Sequence, residues 1–98
     1  MEIKKTVEDD KAVVFLIGEV DSANAKDFET GLKNAVAGEE KVVLDLAELD
    51  YVSSAGLRVF LMVQKMFGTR DNLTIIHANE EVTDIFKVTG FSKLLHIM

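Results

Sequence analysis

The run "VVLDL", Val42 to Leu46, most constrains what this chain can fold into. It is too short for a helix and apolar almost without interruption, which suits a strand covered on both faces in the middle of a sheet. Such a strand needs further strands beside it and helices against it, so the flanking sequence has to supply both.

Upstream, Glu2 to Val7 and Ala12 to Ile17 are rich in Val, Ile and Phe and flank the acidic connection "EDDK". They read as the two strands of a hairpin. Gly18 breaks the second strand, and Ala23, Phe28, Leu32, Ala35 and Val36 then recur at helical spacing, with Asp21 or Ser22 as N-cap and Gly38 just past the end. Downstream, Ser53 or Ser54 caps a second helix running to about Phe67 and closed by Gly68. Leu73 to His77 is a strand, and Asn79 caps a short helix with Val82, Ile85 and Phe86 inward. Gly90 ends that helix, and Leu94 to Ile97 is a last short strand. The order β-β-α-β-α-β-α-β predicts an α/β fold: one domain over residues 1–98, with a mixed sheet of about five strands, an N-terminal hairpin, and helices packed against the sheet.

A chain of 98 residues can bury a core of its own. It has no cysteine, so disulfides and thiolate metal sites are out of the question, and a reducing cytoplasm is the expected setting. No apolar run approaches the roughly 20 residues of a membrane span, and the charged "MEIKKTVEDDK" is no signal peptide. The net charge of −6 argues against nucleic acid and anionic lipid as partners. Nothing in the sequence calls for a cofactor or a bound metal.

Chemistry concentrates in "LDYVSSAGLRVFL", residues 49–61. One serine suffices to cap a helix, whereas a second hydroxyl at a strand-to-helix turn stands exposed before a helix N-terminus that favours negative charge. Ala55 and Gly56 keep side-chain bulk away from the turn, which lets another protein approach closely and also lets the helix pack against a sheet. Counting by helical steps puts Arg58, Met62 and Lys65 on the face that carries Ser54, a plausible docking row because Met and Arg are favoured at interfaces. Asp21, at the C-terminal end of the second strand, falls close to Ser54 if the sheet sets that end beside the strand Val42 to Leu46. There it caps the first helix, touches the hydroxyl, or does both.

"GEVDSANAKDFETGL" followed by "VVLDLAELDYVSSAGLRVFL" resembles the STAS domains of bacterial anti-sigma factor antagonists: G-E-hydrophobic-D, a hydrophobic strand with an Asp, then a serine-rich turn leading into G-L. The likeness extends to the tail "EEVTDIFKVTGFSKLLHI". It implies a non-enzymatic protein that binds an anti-sigma factor, itself a serine kinase. Phosphorylation of the turn serine switches that binding off, and a PP2C-type phosphatase restores it. Family members commonly read D-S-S-G or D-S-T-G at the turn. Aligned on Gly56, the family Asp falls on Ser53, the first hydroxyl on Ser54 and the second on Ala55. The resemblance therefore implies Ser54 as acceptor, with Ser53 as second choice, and a partner surface of Asp21, Ser22, Ser53, Ser54, Ala55, Gly56, Arg58 and Met62.

Three other readings compete with this one. A hydrolase with Ser54 as nucleophile fails the G-x-S-x-G pattern at Val52, and His77 and His96 are no better as bases than as structural histidines. A phospho-acceptor receiver would use Asp45 or Asp50 with Asp9 and Asp10 as cation ligands, but lacks an evident lysine after a late strand. A STAS module for some other signalling or stress-complex partner is the remaining alternative.

Overall fold

The structure is a computed structural model that describes residues 1–68, 72–93 and 95–98. Strand β1 (Glu2–Glu8) and strand β2 (Lys11–Val20) form the antiparallel hairpin, followed by helix α1 (Ala25–Val36) and strand β3 (Val42–Val52). Helix α2 (Ser54–Phe67), strand β4 (Leu73–Ile76), helix α3 (Glu80–Val88), a 3-10 turn (Phe91–Lys93) and strand β5 (His96–Ile97) complete the chain. Asp9 and Asp10 make the two-residue hairpin turn with φ of 48° and 66°. Turns of that hand match the twist of the strands, and aspartate tolerates the left-handed region better than most residues.

The five-stranded sheet has the order β1-β2-β3-β4-β5. After the hairpin every pairing is parallel, so β3 is the middle strand as its apolar run predicts. All three helices lie on one face. Phe28 of α1, Phe60 of α2 and Phe86 of α3 meet there with ring centroids 5.6 and 5.7 Å apart, over Val14 and Leu16 of β2, Leu44 and Leu46 of β3, and Leu73 and Ile75 of β4. Burying each such ring contributes about 1.5–3 kcal/mol.

The expectation that Val42 to Leu46 is covered on both faces is therefore corrected. Only the alternate residues Val42, Leu44 and Leu46 join the core, while Val43 is half-buried on the opposite face beside Val13. The run looks nearly continuous because Val43, on that second face, is apolar as well, and only Asp45 interrupts it. Several boundaries also move. β2 does not break at Gly18 but runs through it to Val20, since Gly18 takes φ 108° while its strand stays paired with β3. β3 continues to Val52, since two bulges let Glu48, Leu49, Tyr51 and Val52 stay paired with β2. β4 stops at Ile76 because His77 turns to φ 63°, away from extended backbone. α1 starts at Ala25 rather than at an Asp21 or Ser22 cap. Leu94, the expected start of the last strand, lies outside the described residues.

Candidate functional site

The site is built where β2 and β3 end together. Val20 pairs with Val52, and the next residue, Ser53, donates its N–H to the Val20 carbonyl at 2.8 Å. The turn after β2 and the turn after β3 are thereby locked side by side. Asp21 Oδ1 accepts from the N–H groups of Ala23 and Asn24, each at 2.9 Å, while Asn24 accepts from Asp21 N–H and donates to Glu19 O. Asp21 thus organises residues 21–24 as a side-chain-built turn, and these bonds explain the late start of α1.

The two serines are divided. Ser53 is the N-cap of α2, and its Oγ accepts from Gly56 N–H at 3.3 Å. Ser54 is the first helical residue, is exposed, and makes no hydrogen bond to any described side chain or turn. Both alternatives for the cap are thus resolved in favour of Ser53. Gly56 is buried: a Cβ there would lie 2.6 Å from Val52 Cγ2 and 2.8 Å from Val20 Cγ1. Its role is to let α2 rest on the ends of β2 and β3, so it offers no surface to a partner, contrary to its place in the expected contact set.

Ser22, Ala55, Arg58 and Met62 converge on a groove of about 490 Å³ between α1 and α2. The facing wall is α1, through Ala25, Lys26, Glu29 and Thr30. Sequence reasoning missed that wall. Lys26, Glu29 and Thr30 share one face by helical spacing, yet only tertiary packing shows that this face meets α2. Glu29 is held by Lys33 at 2.9 Å, whereas Arg58 has no ion pair among the described residues, so the groove is cationic on a chain of net charge −6. Lys65, further along the same face of α2, is exposed but does not line the groove.

The receiver constellation does not form. Asp9 and Asp10 precede the start of β2, while Asp45 pairs alongside Phe15 and Asp50 lies beyond Leu49, the partner of Gly18. At about 3.3 Å per residue the acidic turn is more than roughly 13 Å from either. Asp45 is instead tied down, accepting from Ala47 N–H at 2.9 Å and facing His77 Nδ1 at 3.1 Å. His96 Nδ1 lies 3.4 Å from the Thr74 hydroxyl. Neither histidine contacts Ser54.

A parallel β2–β3 pair whose ends carry a capped serine turn, with three helices on one face of the sheet, defines a class. The STAS domain profile matches residues 2–98, and the chain belongs to that family. Within it, the chain is similar to the anti-sigma factor antagonist BtrV of Bordetella bronchiseptica, 40% identical over 91 residues that cover 91% of this chain and 78% of the relative. Solved structures agree on the fold. An anti-sigma factor antagonist from Mycobacterium paratuberculosis superposes with a TM-score of 0.87 at 21% identity, covering 98% of this chain and 83% of that one. Phosphorylated SpoIIAA of Bacillus gives 0.69 at 13% identity, covering 99% and 91%.

Proposed function

We propose that this protein is an anti-sigma factor antagonist: unphosphorylated, it binds an anti-sigma factor that is also a serine kinase and so frees a sigma factor, and phosphorylation of Ser54 ends the binding. A PP2C-type phosphatase resets it, and the protein itself catalyses nothing. A cytoplasmic setting goes with that reading. The observation that carries it is the division between the serines, because Ser53 is committed to the cap and Ser54 is left exposed at the first position of α2. The relatives' names and the existence of a phosphorylated SpoIIAA support it.

Charge explains how one group can switch binding without unfolding the domain. A phosphoserine adds about −1.5 to −2 charges, which the N-terminus of α2 tolerates and which Arg58, one helical turn on, partly answers. A partner surface fitted to a neutral hydroxyl beside Asp21 has to desolvate that dianion without a matching cation. A penalty of about 3 kcal/mol weakens binding more than a hundredfold. Contacts run along Asp21, Ser22, Ser53, Ser54 and Ala55 into the groove at Arg58 and Met62.

The test is mass spectrometry after incubation with the kinase and ATP, paired with calorimetry. Ser54→Ala is expected to bind the kinase and resist modification, and Ser54→Asp to stay folded and bind less well. Phosphate on Ser53 would shift the switch by one residue, while a chain unmodified on any serine would overturn the reading.

A further inference from the structure

We propose that Arg58 carries the signal from Ser54 to the groove: in the unmodified chain its guanidinium holds a carboxylate of the partner between α1 and α2, and phosphorylation draws it out of the groove onto the phosphate. This rests on the function proposed above. It adds the acidic character of the bound segment and the route by which that segment is released.

Arg58 stands where the two destinations meet. Long side chains on a helix lean back over the preceding turn, which for Arg58 is made of Ala55 at i−3 and Ser54 at i−4. Ala55 lines the groove together with Arg58, Val59 and Met62, whereas Ser54 lies outside it. A change of rotamer therefore carries the guanidinium from one to the other, and an exposed side chain makes such changes freely. Neither destination holds it in advance, because Arg58 has no ion pair among the described residues.

Charge selects what the groove holds. Lys26, on the α1 wall, is likewise without an ion pair among the described residues, while Glu29, the acid on that wall, is answered by Lys33 at 2.9 Å. Asp21, the neighbour of Ser22, turns its Oδ1 to the N–H groups of Ala23 and Asn24. Two unanswered cations beside the apolar Ala25, Val59 and Met62 fit a partner segment that presents a carboxylate among apolar side chains. A guanidinium pairs with a carboxylate through two parallel bonds and with a phosphate in the same way, so it serves one or the other and not both at once.

Magnitudes decide which effect of Arg58 prevails. As a mere counterion to the phosphate it would soften the switch, but an exposed charge pair one helical turn apart moves an equilibrium only about twofold. Withdrawn from a desolvated pair, it leaves the partner's carboxylate buried and unanswered, which weakens association about thirtyfold or more. Removing Arg58 therefore blunts the switch.

The test compares four chains made by chemical synthesis, with Ser54 either unmodified or phosphorylated and with or without Arg58→Gln. Calorimetry is run against the serine kinase that modifies Ser54. Arg58→Gln is expected to weaken binding of the unmodified chain about thirtyfold. Phosphorylation is expected to weaken binding of the wild type at least about tenfold more than it weakens binding of the variant. Urea unfolding of the same four chains needs no kinase. There Arg58→Gln is expected to raise the unfolding constant about twofold more in the phosphorylated chain than in the unmodified one. A phosphorylation penalty as large or larger in the variant overturns the proposal, as does unmodified binding indifferent to Arg58→Gln or unfolding without that difference. A wild-type chain that binds the kinase equally well in both forms overturns the functional reading, and this proposal with it.

Discussion

Helices α2 and α3 both start from a capping residue with extended backbone, ψ 173° in each case. Ser53 Oγ accepts from Gly56 N–H at 3.3 Å, and Asn79 Oδ1 accepts from Val82 N–H at 2.7 Å. Beyond the cap they differ. Asn79 also donates to Leu49 O at 3.1 Å, tying α3 to β3, and Glu80 and Glu81 set negative charge against the first turn. The first turn of α2 holds no acid, and its leading residue is the free hydroxyl of Ser54. One helix start is electrostatically complete, whereas the other has no negative charge against its first turn. That absence forgoes a little stability.

Substitutions can break or sharpen this contrast. Asn79→Ala removes a short cap bond and the tie to Leu49, so a loss of about 2 kcal/mol is expected in urea unfolding. Ser53→Ala removes one longer bond, for an expected loss of about 0.5–1 kcal/mol. Should Ser53→Ala cost more than Asn79→Ala, the view of α3 as the more completely anchored start is wrong. Ser54→Asp is the smallest and most pointed change. It is expected to stabilise the isolated domain by about 0.3–1 kcal/mol at low salt, and the gain should shrink as salt is raised. A destabilised Ser54→Asp would mean that the N-terminus of α2 does not welcome charge.

Much of this contrast was legible in the chain. Asn79 before "EEVTDIF" is a cap followed by acids, and the serine pair before Ala55 and Gly56 announces a helix start, though which serine caps depends on three-dimensional geometry. Phe28, Phe60 and Phe86 fall on inward faces that helical periodicity marks. The second half of β3 was not legible, because its bulges throw Ala47 and Asp50 off the two-residue period that identifies strands. Nor was the groove, whose walls are thirty or so residues apart in sequence and meet only when α1 and α2 dock. The open sheet face was not legible for a related reason: apolar residues on a face without helices and those of the core look the same in one dimension.

The strand order β1-β2-β3-β4-β5 repeats the order of synthesis, and this has a kinetic consequence. No strand has to be threaded between two that have already paired. Each parallel closure after the hairpin joins strands separated by a single helical crossover, and closure entropy rises only slowly with the length of the connection. The sheet can therefore grow by accretion from its hairpin, each new strand finding a finished edge. In that order of growth the turn that carries Ser54 is fixed at the first of these parallel closures, when β3 docks on β2, while β4, α3 and β5 are still to be added.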